Sequence, residues 1–179
     1  PNVSKKSSFS APDIKSPVFL MMAANGDEKT YEKFVSLHAK SSSPEEKRLV
    51  LLSLGQFKDN RILKKVLDFS ISKKVRAQDL PVIFSSVSSN PYSRNVLLDW
   101  VKSNWKKLET YQKSGSIFLS IIESLVSNYV TKGKERELKK FFATHPVKYK
   151  MTLARSFERM KRNVSWLEKN KSILSQYFS

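Results

Sequence analysis

Residues that open helices and residues that close them alternate along this chain at intervals of roughly one helix length, which leaves little room for strands. An apolar run from Asp13 to Ala24 ends at Asn25-Gly26, residue types suited to the left-handed turn that closes a helix. Asp27 stands where it caps the next segment, in which Tyr31, Phe34, Val35 and His38 share one face. Ser43-Pro44-Glu45-Glu46 predicts a further start. Ser43 accepts from the Glu46 backbone, the Glu46 carboxylate reaches back, and Pro44 loses no needed N–H at the first helical position. That helix runs through Leu49 and Leu52 toward Gly55.

The pattern continues. Ile62, Leu63, Val66 and Leu67 form a stripe, and Gln78-Asp79-Leu80-Pro81 opens a short helix through Ile83, Phe84 and Val87. Asn90-Pro91 opens a long amphipathic segment carrying Val96, Leu97, Trp100, Val101, Trp105 and Leu108, which Ser114-Gly115-Ser116 breaks. Ile117 to Tyr129 repeats a clean apolar face, and Thr131-Lys132-Gly133 separates it from the segment around Phe141-Phe142 that His145-Pro146 ends. Leu153, Phe157, Met160 and Val164 make one more stripe, and Trp166 to Phe178 predicts a last short helix. Strict alternation is rare, and Asn25-Gly26 leads into a helical pattern instead of a hairpin.

The expected fold is therefore all-α, with about ten helices joined by loops of a few residues. Successive pairs recur roughly every 30–40 residues, which predicts an irregular superhelical stack of antiparallel helix pairs, HEAT- or armadillo-like. Residues 1–10 are Ser/Lys-rich and expected to be a loop or the remnant of an upstream segment; residues 11–179 form the helical domain. A hydrophobic content of 40%, with three Trp and eleven Phe, is enough for a sizeable core. No apolar run reaches the length needed to span a bilayer. The chain begins at Pro1 with no signal peptide, so a processed or cut chain is expected. Absence of cysteine removes disulfides and thiolate metal sites and fits a cytoplasmic location.

Catalytic chemistry finds no footing. His38 and His145 are far apart, with no glutamate at metal-ligand offset, so neither a catalytic residue nor a metal ligand is assigned. The serines sit in caps and loops, with no nucleophile elbow. Glu45-Glu46 and Asp27-Glu28 occupy first helical turns, where the helix dipole favours negative charge. The basic residues are another matter. The net charge is +17, and between Lys132 and Arg162 there are 11 Lys/Arg against three acids. Arg155, Arg159 and Arg162 step along one helix beside the Phe157/Met160 stripe. That row is either a solvated face or a positive wall for a peptide carboxylate, which the planar Arg fork suits. A nucleic-acid groove would use the same residues for phosphates, but with exposed aromatics for stacking, whereas the aromatics here fall at core spacing. Trp100 and Trp105 read as core anchors, and Arg76 with Asp79 as a local ion pair at a helix start.

Several motifs occur in a distinctive order: Val75-Arg76-Ala77-Gln78-Asp79, Ser89-Asn90-Pro91-Tyr92-Ser93-Arg94, Asn104-Trp105-Lys106-Lys107-Leu108, and Phe157-Glu158 followed by Asn163-Val164-Ser165-Trp166-Leu167. This order resembles the C-terminal helical domain of the gluzincin zinc aminopeptidases, of the aminopeptidase N, puromycin-sensitive and tricorn-interacting type, over residues 11–179. The resemblance implies a non-catalytic domain that encloses the substrate chamber of an enzyme removing N-terminal residues from peptides and contacts the distal part of the peptide. It implies zinc in a catalytic domain upstream in the same polypeptide and none in this chain. Arg76, Asn90, Arg94, Arg155 and Arg159 are then the candidate chamber contacts. The alternative is a stand-alone basic helical-repeat module binding nucleic acid or an acidic protein partner, or a scaffold docking onto another subunit.

Overall fold

The computed structural model describes residues 12–177. Its α-helices are α1 (Pro12–Ala24), α2 (Glu28–Lys40), α3 (Pro44–Leu54), α4 (Asn60–Ser70), α5 (Leu80–Ser89), α6 (Arg94–Ser103), α7 (Trp105–Leu108), α8 (Ser116–Ser127), α9 (Lys132–Thr144) and α10 (Lys150–Tyr177). Short 3-10 segments lie at Ala77–Asp79, Pro91–Ser93 and Glu109–Ser114, and no strand occurs among the described residues. The expected loop over residues 1–10 lies outside the described residues.

The helices form two rows. In the first row α1 packs on α3, α3 on α5, α5 on α8 and α8 on α10. In the second, α4 packs on α6, Glu28 of α2 pairs with Lys65 of α4 at 2.6 Å, and Lys102 of α6 pairs with Glu137 of α9 at 2.5 Å. Apart from the short α7, which follows α6 in the same row, consecutive helices alternate between rows, so each pair presents the same faces to the next. The side-chain hydrogen bonds record this. Those between separated segments span 30 residues at the shortest, Gln56 to Ser86, and 40 at the longest, Asn128 to Ser88. Each helix pair therefore bonds to its neighbouring pair, as in a stack whose period is one helix pair.

The caps expected at Asp27 and Ser43 are present, and Asp59 and Thr131 supply two more. Asp27 accepts from Thr30 N at 3.0 Å, Ser43 from Glu46 N at 3.2 Å, Asp59 from Arg61 N at 2.7 Å, and Thr131 from Lys134 N at 3.4 Å. One arm of the predicted capping box is absent. Glu46 turns away to pair with Lys15 of α1, and Ser43 Oγ donates to Glu45 instead, at 2.8 Å. A tertiary ion pair has taken the carboxylate that local geometry reserved for the cap.

Two helix boundaries differ from expectation. The segment opening at Asn90-Pro91 is not one helix to Leu108. Asn104 leaves the helical region (φ −109°, ψ 12°), and its own amide donates to Trp100 O at 2.9 Å, competing for a helix carbonyl. The chain redirects there, and Trp105 enters a cluster with Phe118, Phe141 and Phe142 at centroid distances of 6.0, 5.0 and 5.8 Å. Conversely, no break separates Trp166 from the preceding stripe: α10 runs unbroken for 28 residues. It contains neither Gly nor Pro, and Glu168 reaches Lys132 of α9 at 3.0 Å. Its last buried residue is Val164, so the final turns project past the stack.

The core runs continuously between the rows, from Phe34 and Phe57 through Leu63, Phe84, Leu98 and Phe118 to Phe157 and Met160. Gly55 marks its tightest crossing. A Cβ there would lie 2.8 Å from Val87 N and closer still to Ser86 Oγ, so only glycine lets α3 approach α5. At the first end, Val18, Met21 and Met22 are exposed while Phe19 turns inward onto Phe34, ring centroids 5.4 Å apart.

Candidate functional site

Stacking segregates charge. In the first row α1, α3 and α5 are each neutral and α8 carries one net negative charge. In the second row α2, α4, α6, α7 and α9 are net positive by one, two, one, two and three. The last helix, α10, adds five more. In the middle of the first row Ser85 and Ser89 of α5 are exposed and Ser120 and Ser124 of α8 are half-buried. The basic character read from the sequence is therefore a property of one face and one end.

The five candidate contacts fall in three places. Arg76 lies in the connection between α4 and α5 and donates through Nε to Asp79 Oδ2 at 2.8 Å, a pairing that raises the already high guanidinium pKa. Asn90 lies at the opposite end of α5, roughly 15 Å of helix away. It is buried, at 4% exposure. Its Nδ2 donates to Gly55 O at 2.9 Å and Phe57 O at 2.7 Å, and its Oδ1 accepts from Tyr92 N at 3.0 Å. Its hydrogen-bonding capacity thus goes to fixing one turn against another. Arg94, exposed, starts α6 beside that turn, and its carbonyl accepts from Tyr129 OH at 2.6 Å. Burial is the largest influence on that phenol and raises its pKa, so Tyr129 stays a neutral donor.

Arg155 and Arg159 are exposed one turn apart on α10, and neither has a carboxylate partner among the described residues. The acid between them, Glu158, bonds to Lys161 at 2.8 Å, which holds its carboxyl below the usual range and leaves both arginines uncompensated. Lys139 of α9 stands 5.8 Å from the Phe157 ring centroid on the same flank. This band is a place where anionic groups are attracted. It holds no acid–base pair.

Sequence reasoning missed the rungs joining the turns at the Asn90 end. Asn128 Nδ2 donates to Ser88 Oγ at 2.8 Å and Asn163 Nδ2 to Ser127 O at 3.0 Å, one pair further along each time. The recurrence of asparagine near helix ends at this period is the signal that would have found them. It also missed that Lys47 and Lys74, distant in sequence, line a groove with His38.

Zinc does not fit the donors present. Among the described residues no group of three or more His, Cys, Asp or Glu is placed to hold a metal ion. His38 is enclosed against Phe69, and His145 stacks on Phe141 with centroids 4.3 Å apart. Trp100 and Trp105 are both 4% exposed, and Trp100 Nε1 donates to Asp68 Oδ1 at 2.7 Å, so neither offers a free ring for a base. Among the described residues no helix is long and apolar enough to cross a membrane.

The model of the ERAP1-like C-terminal domain family matches residues 3–162. Similar proteins include Aminopeptidase 2, mitochondrial, of Saccharomyces cerevisiae, 29% identical over 166 residues that cover 92% of this chain and 17% of that protein. Aminopeptidase M1 of Arabidopsis thaliana is 31% identical over 161 residues, 88% of this chain and 18% of the relative. Aminopeptidase N of Canis lupus familiaris is 25% identical over 173 residues, 93% of this chain and 18% of the relative. The chain thus spans less than a fifth of the length of these relatives.

Proposed function

We propose, on the premise that this chain belongs to the ERAP1-like C-terminal domain family, that it is the non-catalytic part of a zinc aminopeptidase and helps to enclose the substrate chamber. The observation that carries the reading is the match itself: nearly all of this chain aligns with a small part of proteins named aminopeptidases. Hydrolysis and zinc then belong to a catalytic domain upstream in the same polypeptide. A stack of this kind supplies a stiff wall, because each pair is bonded to the next along its length. A cytoplasmic location, suggested by the cysteine-free composition, belongs to the same proposal.

Within that reading, Arg155 and Arg159 are the cations best prepared to meet the distal, acidic end of a peptide, being exposed and uncompensated. Arg94 stands at the turn that Asn90 holds, so Asn90 acts through that turn, and Arg76 enters with part of its charge balanced by Asp79. The test is Arg155→Ala with Arg159→Ala in the polypeptide that includes the catalytic domain. Turnover of peptides of about ten residues should fall severalfold relative to an aminoacyl-amide substrate, which is too short to reach the band. Equal loss on both substrates would refute the reading. For this chain alone, tight nucleic-acid binding with a steep fall in log affinity against log salt would favour the stand-alone basic module instead.

A further inference from the structure

On the basic row one histidine ring faces a groove and has no hydrogen-bond partner among the described residues. His38, in the last turn of α2, is 6% exposed, and neither ring nitrogen has a hydrogen-bond partner among the described residues. Its ring stands edge-on to Phe69, centroids 5.6 Å apart at 87°. With Val35, Ala39, Phe69, Lys47 and Lys74 it lines a groove of about 490 Å³ between α2, the start of α3 and the α4–α5 connection. That volume falls within the range of small-molecule sites, roughly 300–1,000 Å³. The floor is apolar. The two lysines at its edge have no carboxylate partner among the described residues. Leaving an apolar floor wet is unfavourable, and the His38 ring and the two ammonium groups offer donors to an anion, so a ligand that answers both is favoured.

We propose that this groove binds an apolar carboxylic acid, its carboxylate accepting from the His38 imidazole and from the Lys47 and Lys74 ammonium groups while its hydrocarbon covers Phe69 and Val35. Either a free small acid or the C-terminal residue of a peptide presents this chemistry. The site is built from residues of this chain alone and stands whether or not the chamber reading does.

The charges facing the imidazole agree. Burial is the largest influence and lowers its pKa, followed by Lys47, with Arg76 acting in the same sense and Asp79, across the α4–α5 connection, in the opposite one. The ring is therefore neutral at pH 7 and offers one N–H. Glu32 also lines the groove, opposing an anion, and Lys74 favours one. A bound carboxylate stabilises the protonated ring, so occupancy must raise the His38 pKa, and affinity must rise as pH falls through it.

The test follows the two histidines of the 179-residue chain by NMR while hexanoate is added. Hexanoate should shift the His38 ring signals saturably, leave His145 unmoved and raise the His38 pKa. Hexanamide and inorganic phosphate should each bind at least tenfold more weakly, the first lacking the charge and the second the hydrocarbon. Lys47→Gln and Lys74→Gln, both surface changes, should each weaken hexanoate severalfold, while Arg155→Gln should not. No saturable His38 shift, or equal binding of hexanamide or phosphate, overturns the proposal. An acetylated dipeptide ending in phenylalanine, compared with its C-terminal amide, separates the sources. Free-acid peptide binding more tightly than hexanoate supports a peptide terminus, and the reverse order supports a small acid.

Discussion

Replacing Asn90 by alanine should loosen the stack at its middle without touching an exposed residue. Three hydrogen bonds disappear: two from Nδ2 to Gly55 O and Phe57 O, and one from Tyr92 N to Oδ1. A net bond contributes about 1 kcal/mol, and a buried group left without a partner costs more, so the loss should be about 3–4 kcal/mol. For a chain of this size about 2–4 °C is lost per kcal/mol, so the midpoint should fall by roughly 6–16 °C. Asn90→Asp sharpens the argument. The carboxylate keeps the acceptor for Tyr92 N but sets a negative charge against two carbonyl oxygens, so at pH 7 it should be at least as damaging as alanine. Urea denaturation followed by circular dichroism, comparing midpoints at unchanged slope, reads both variants. A loss below about 1 kcal/mol for alanine, or aspartate as stable as the parent, would show that Asn90 is not the fastening between the α3–α4 turn and α5.

Gly55→Ala should cost about 2 kcal/mol or more, because its Cβ meets Val87 N at 2.8 Å and α3 must retreat from α5; thermal unfolding checks it, and a neutral result would contradict the close crossing. Ser127→Ala should be neutral or stabilising by up to about 1 kcal/mol in the same assay, since Ser127 Oγ is the one enclosed side-chain atom without a partner among the described residues. Lys102, first, and Lys134 hold the Glu137 carboxyl below its usual value of 4.5, so its contribution is present above that pH and lost as pH falls through the lower folded value. Urea midpoints between pH 6 and pH 3 should therefore fall less steeply in Glu137→Gln than in the parent; parallel curves would reject the pairing.

Much of the fold was legible in the chain because local chemistry writes it. Asp27 and Ser43 cap helices from within three residues, and the apolar stripes name the buried faces. The recurrence of helix pairs also foretold the separation at which side chains bond. The candidate site was legible in part. The unpaired arginines of α10 follow from helical spacing and a scarcity of acids, both local. The fate of Asn90 does not, since its acceptors lie 33 and 35 residues upstream.

By itself, then, the order of residues determined helix content, the pairwise period, the side of each helix that turns inward and the excess of positive charge. Tertiary packing decided where that charge gathers, that Glu46 leaves the α3 cap for Lys15, that α10 continues past the stack, and that His38 meets Lys47 and Lys74 at one groove. The physical reason is range. Caps and amphipathic faces act within a helical turn or two, whereas ion pairs and enclosed polar groups find their partners only after one helix pair has been laid against the next.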